Sequence, residues 1–169
     1  MGSFKVYIVN RSSQLPVIVL AEPATKSDLT LVSRKNRGWH FNWLEIGSQV
    51  GMIVYKITYQ KQIQGLVAFS RPPREDGVVP VTNFEAAPSN FGHSGGFGVG
   101  PTLAAIVCGS SVAWGFDGFI AFQAKTKLVE HYRKHFRARV VYGDNMVVDD
   151  NAAKTLIERY IVGGDADVE

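Results

Sequence analysis

The stretch Ser94-Gly-Gly-Phe-Gly-Val-Gly-Pro-Thr-Leu103 constrains this chain more than any other. It holds four glycines in six residues, then Pro101, then an apolar-periodic run. Glycine permits positive φ and lets backbone N–H groups approach a ligand closely. Proline suits the first turn of a helix, where its missing N–H costs nothing. A glycine turn that opens into a helix gathers unpaired N–H groups at the positive end of the helix dipole, so it suits an anion such as a phosphate. A tight turn without a ligand has the same composition, so the surrounding chain must decide between the two.

The chain has 169 residues, 46% of them hydrophobic. That suits one domain with a full core, expected over residues 1–162, with a flexible acidic tail over 163–169. The formal charge of +3 is too small to argue for nucleic acid. Its distribution says more. Lys125, Lys127, Arg133, Lys134, Arg137 and Arg139 lie within fifteen residues, against the single acid Glu130. Such a patch could receive the phosphates of a cofactor or of RNA, or be a solvated helix face. Cys108 is the only cysteine, so no internal disulfide forms and a cytoplasmic setting is expected. No run is apolar and long enough for a signal peptide or a membrane span.

Along the chain, Phe4–Val9 alternates as a strand and Val17–Leu20 reads as a second. A loop from Glu22 leads to a helix with Thr25 or Ser27 as N-cap. Trp39, Phe41 and Trp43 recur at every second position, which puts them on one face of a strand over Gly38–Leu44. They are core residues or an aromatic wall for a substrate. Met52–Tyr59 and Ile63–Phe69 form a hairpin, and Val78–Phe84 is the strand before the glycine loop. A helix over Thr102–Gly115 buries Leu103, Ile106, Val107, Ser110 and Trp114 on one face. Phe119–Ala124 is a strand. Thr126–Phe136 is a helix with Leu128, Tyr132, His135 and Phe136 inside. Ala138–Tyr142 and Met146–Val148 are strands, and Asn151–Ile161 is a helix capped by Asp150 or Asn151. The strand–helix–strand crossover makes its two strands parallel, with the glycine loop at the C-terminal end of the first, where open α/β sheets bind ligands.

In this order of parts the chain resembles the GNAT superfamily of acyl-CoA-dependent N-acetyltransferases. The family loop has the form Arg/Gln-x-x-Gly-x-Gly/Ala, matched here by Gly98-Val99-Gly100, with Leu103 as the following apolar residue. The order strand, glycine loop, long helix, strand and helix matches over about Val50–Tyr142. Tyr132, in His131-Tyr132-Arg-Lys-His-Phe136, is similar to the family's Tyr-x-x-x-Gly-Phe. Gly95 stands where the loop Arg or Gln is expected, the stretch from Pro88 to Gly98 is a few residues long, and Phe136 follows Tyr132 one residue early.

The resemblance implies an α/β (α+β) fold: a mixed, mostly antiparallel sheet with one splayed parallel strand pair, flanked by helices. It implies acetyl-CoA as co-substrate, no metal, and direct attack of a primary amine on the thioester in a ternary complex. The cofactor pyrophosphate would take N–H groups from Phe97, Gly98, Val99, Gly100 and Thr102, around Pro101. Ala86 or Ala87 would supply an oxyanion N–H, and Lys125 would lie beside the cofactor arm. Tyr132 would be the acid for the departing thiolate, or else a core tyrosine. Glu85 would be the base, or else an exposed edge charge. Ser89, Asn90 and His93 could line the acceptor site; for Ser89 and Asn90 the alternative is to cap the loop, and His93 could instead be an alternative base or a solvent-exposed loop residue. His40 reads as structural or exposed, and Cys108 as a packed thiol. The acceptor could be a small molecule, a protein amine or aminoacyl-tRNA, with no membrane partner, and a homodimer is left open. The rival reading is an inactive module of the same fold that binds CoA or another protein.

Overall fold

A computed structural model describes residues 2–92 and 95–164. Residues 165–169 of the tail predicted at 163–169, and His93, lie outside these residues. β1 (Phe4–Asn10) and β2 (Pro16–Pro23) form a hairpin whose turn is held by Asn10, its side-chain oxygen accepting from Ser12 and Ser13 N–H. α1 (Lys26–Val32) begins at a reciprocal cap. Thr25 Oγ1 accepts from Asp28 N–H, and Asp28 accepts from Thr25 N–H. β3 (Met52–Tyr59) and β4 (Gln62–Ser70) pair tightly through a turn with positive φ at Gln60 and Lys61.

Gly38–Leu44 is a correction to the alternating-strand reading. Residues 39–42 are a loop, and Trp43 opens a short helix, α2 (Trp43–Ser48), capped by Asn42. Trp43 is fully buried, Trp39 half-buried and Phe41 exposed. Period-two spacing in so short a run was satisfied by a loop, because a buried side chain described below sets its path.

β5 (Val79–Ala86) runs two residues beyond the expected end and therefore includes Glu85 and Ala86. A two-residue strand, β6 (Phe97–Gly98), precedes α3 (Gly100–Ala113). Burial of α3 is continuous from Thr102 to Cys108, not confined to one face, because the helix is covered by the sheet on one side and by α5 (Asp150–Tyr160) on the other. β7 (Ile120–Gln123) and α4 (Val129–Phe136) follow, with a single 3-10 turn at Thr126–Leu128 before α4. His135 is exposed; the inward residues of α4 are Val129, Tyr132 and Phe136. β8 (Arg139–Tyr142) and β9 (Asn145–Val148) form the last hairpin. Asp149, one residue before the expected caps, accepts from Ala152 N–H and starts α5.

The strands form one sheet in the order β6-β1-β2-β3-β4-β5-β7-β9-β8. Every pairing is antiparallel except β5 with β7. The main core lies between the sheet and α3, α4 and α5. A smaller core around Trp43, Leu66 and Leu29 lies on the opposite face beneath α1 and α2. Gly118 has φ +90° and a Cβ there would lie 2.5 Å from that of Ala153, so only glycine lets α5 seat against this turn.

Candidate functional site

The parallel pair sets the site. β5 and β7 are in register only at Val79–Ile120 and Pro80–Ala121, and then they part. The edge of β5 that faces β7 is therefore left without a strand partner from Val81 onward. Buried or half-buried backbone groups seek partners, so such an edge is a template for an extended ligand. The register with β4 also shifts here. Val81 pairs with Phe69 and Asn83 with Ala68, leaving Thr82 as the extra residue of a bulge. Bulges bend a strand and re-aim its side chains.

Aromatic rings fill one side of the opening. Phe84 of β5 meets Phe122 of β7 edge to face at 5.3 Å. Phe136 packs on both, at 5.5 and 6.0 Å, and Tyr132 packs on Phe122 at 4.9 Å. Beside these rings lies a cavity of about 580 Å³, lined by residues of β5, the end of β7, Tyr132 of α4, Phe91 and the 40–41 loop. Burial pushes the Tyr132 phenol above its ordinary pKa, because the phenolate would lose hydration. Among the described residues its hydroxyl has no hydrogen-bond partner. Lys125 and Lys127 stand at the same cavity, both exposed.

Of the six cations in the basic cluster, Arg133 is paired with Glu130 and Arg139 lies 3.6 Å from Asp149. The patch is thus interrupted. Its cavity-side part is Lys125 and Lys127.

Glu85 is not an exposed edge charge. Its side chain is 3% exposed, and it accepts from His40 N–H at 2.7 Å, Phe41 N–H at 3.3 Å and Trp43 Nε1–H at 2.7 Å. This carboxylate ties the 40–43 loop to β5 and explains why that loop is not a strand. A base must give up a lone pair to a proton, and here three N–H donors already engage the carboxylate.

The glycine loop is pinned from two sides. Asn90, 1% exposed, donates to the Gln64 carbonyl and to Gln64 Oε1, both at 3.0 Å, and accepts from Phe97 N–H at 2.9 Å. From the β1–β2 turn, Arg11 donates to the Asn90 carbonyl and reaches the Gly95 carbonyl at 3.5 Å, while its own N–H donates to Gly96 O. Gly96, at φ +66°, has no room for a Cβ, which would lie 2.7 Å from Asn90 Oδ1. β6 then pairs with β1 through Phe97–Asn10 and Gly98–Val9. Gly100 and Pro101 open α3, where no side chain caps the helix; Val99 is buried, and the rim of Phe136 stands over Gly100.

These contacts redistribute the expected roles. Asn90 is a buried loop cap rather than a residue of the acceptor wall, whereas Ser89 is exposed. Thr102 is fully buried and its hydroxyl donates to Tyr7 O at 2.7 Å, so its side chain ties α3 to β1. Ala87 N–H donates to Gln64 O, so it is not an idle oxyanion donor. Ala86 lies in β5, opposite Gly65 of β4. Cys108 is buried in α3, and burial pushes its thiol pKa far up, as befits a packed thiol. The sequence carries no periodic signal for Arg11, Gln64, Phe91 or His40, all of which the fold brings to the loop or the cavity. Among the described residues no cluster of His, Cys, Asp or Glu could hold a metal ion, and no helix is long and apolar enough to cross a membrane.

No sequence-family pattern matches the chain, and no curated protein is similar to it in sequence. Solved structures are similar in shape. A protein assigned to the GNAT family of acetyltransferases, from Desulfovibrio desulfuricans, aligns with a TM-score of 0.55 and 19% identity, covering 76% of this chain and 95% of its own. AtaTR bound with acetyl-CoA aligns with a TM-score of 0.57 and 16% identity, covering 82% and 97%. A chimera of spermidine N-acetyltransferase SpeG from Vibrio cholerae and hSSAT aligns with a TM-score of 0.55 and 12% identity, covering 80% and 97%. At such identities the shared property is the fold. With its mostly antiparallel sheet, its one parallel pair that opens after two residues and its glycine loop before α3, the chain has the fold of the GNAT acetyltransferases.

Proposed function

We propose that this protein transfers an acetyl group from acetyl-CoA to a primary amine by direct attack in a ternary complex. The observation that carries the reading is the open β5–β7 pair beside a cavity that Tyr132 lines. The free edge of β5 suits the amide groups of an extended pantetheine arm. The pyrophosphate would lie at the uncapped N-terminus of α3, where the N–H groups of Gly100 and Thr102 and the helix dipole favour an anion. Lys125 and Lys127 would draw the anionic cofactor toward the opening.

Tyr132 is the acid in this reading. Its raised pKa keeps the phenol protonated at neutral pH, ready for the thiolate that leaves when the C–S bond breaks. The acceptor is a primary amine, small or on a protein. SpeG is by name a spermidine N-acetyltransferase, which makes polyamines a first probe. Aminoacyl-tRNA is less well served, because the basic cluster is interrupted by ion pairs.

A binding module is the second reading. It is favoured by the Phe97 and Ala87 N–H groups, which are already used by Asn90 and Gln64. Thermal unfolding with acetyl-CoA separates the readings. A ligand held only by the native chain adds about 2.7 kcal/mol at a hundred times its Kd. Stabilisation with thiol release in the presence of amines supports transfer. Stabilisation without release across an amine panel supports a CoA-binding module, and no stabilisation at saturating acetyl-CoA overturns acetyl transfer and leaves only a protein-interaction module.

A further inference from the structure

The contact between Glu85 and the loop in front of it includes a side chain. His40 Nδ1 lies 3.4 Å from Glu85 Oε2, the oxygen that also accepts the His40 backbone N–H. The carboxylate is buried, whereas the imidazole is 72% exposed and lines the cavity that Tyr132 shares. The ring also packs against Phe91, with centroids 5.2 Å apart. The imidazole is thus held on two sides. A carboxylate facing Nδ1 favours the tautomer with Nδ1–H, which leaves the Nε2 lone pair exposed.

We propose that His40 is the base that takes the proton of the acceptor amine, and that Glu85 is its positioning residue. This rests on the acetyl-transfer reading of the cavity. Glu85 itself is poorly placed for the task, since it is buried, Oε1 already accepts two N–H donors, and Oε2 accepts one and faces His40 Nδ1. Its part is to orient the ring, with Oε2 facing Nδ1 at 3.4 Å. The other titratable groups on the cavity are Lys125, Lys127 and Tyr132.

The ammonium gives one proton through His40 to solvent. The neutral amine then attacks the thioester carbonyl carbon, and a C–N bond forms. The remaining surplus proton on nitrogen passes to His40 Nε2. The C–S bond breaks, Tyr132 protonates the thiolate, and the proton on His40 returns to Tyr132 through water. One proton per acetyl transferred is released.

Two-bond 1H–15N spectra of the full chain read the tautomer without any acceptor. Neutral His40 is expected to carry its proton on Nδ1, and Glu85→Gln should weaken that preference. A native His40 protonated on Nε2 overturns the proposal. In thiol-release assays with acetyl-CoA and spermidine, lysine or a peptide amine, His40→Ala should lose about a hundredfold or more in rate. It should keep the thermal stabilisation by acetyl-CoA and regain activity with added imidazole, which the exposed site admits. Full activity of His40→Ala, or a loss that imidazole does not restore, overturns the proposal. If no amine releases thiol, the tautomer decides it. Absence of any stabilisation by acetyl-CoA instead overturns the acetyl-transfer reading, an outcome the spectra do not share.

Discussion

Two loops flank the end of β5, and each is pinned by one buried polar side chain. In front, the 40–43 loop hangs on Glu85, which accepts from two backbone N–H groups and an indole. Behind, the glycine loop hangs on Asn90, which bridges Gln64 and Phe97. The pins differ in charge. A neutral amide can only set shape, because it satisfies donors and acceptors without creating a field. A buried carboxylate sets shape and also presents an acceptor to a ring within reach, here His40 Nδ1 at 3.4 Å. The amide pin thus suits the loop assigned to the cofactor, and the charged pin suits the side assigned to proton transfer.

The greatest loss is expected for Glu85→Ala. It strands the buried Trp43 indole N–H and both loop N–H groups, and should cost about 3 kcal/mol or more in urea unfolding. A loss below about 1 kcal/mol would mean that the loop does not depend on the carboxylate. Next is Tyr132→Phe, expected to lower kcat about a hundredfold, or ~2.7 kcal/mol in the barrier, with acetyl-CoA Kd nearly unaltered. Full activity would end the acid assignment. Because burial raises the Tyr132 pKa, its acid form should persist past pH about 10. The folded state holds that proton more tightly than the unfolded chain. The stability it contributes is thus present below the ordinary phenol pKa and is lost as pH rises through the folded value.

Asn90→Ala tests the other pin. It leaves Phe97 N–H without its partner and should cost about 2 kcal/mol in stability, together with weaker acetyl-CoA binding by calorimetry. Unchanged affinity would show that the glycine loop keeps its shape without the amide. Gly96→Ala puts a side chain at φ +66° against Asn90 Oδ1 and should cost about 1.5 kcal/mol, read as a lower melting temperature. The smallest expected effect is Thr102→Val, about 1 kcal/mol from the lost bond to Tyr7 O. Stability at or above that of the native chain would mean the buried hydroxyl adds nothing to the seating of α3.

Tyr132 and the run from Gly98 to Leu103 were legible as motifs, since each is local. Glu85 was visible as a carboxylate at a strand end, but its burial was not. The aromatic spacing around Trp39 suggested a strand, and the acceptor that overrides it lies more than forty residues away in the chain. The His40 contact follows from the same long-range bond and has no local signature.

Short-range pattern accounts for the β3–β4 hairpin, the helix after the glycine loop, the capped α1, and the order of elements that leads to a parallel crossover. Period and propensity suffice there, because the interacting groups are a few residues apart. Tertiary structure decided which polar groups are spent and which are free. Whether Glu85 is a base or an anchor, whether Asn90 faces a ligand or caps Phe97, and whether His40 meets a carboxylate depend on segments joined only when the sheet forms. A hydrogen bond between distant residues leaves no periodic trace in either of them.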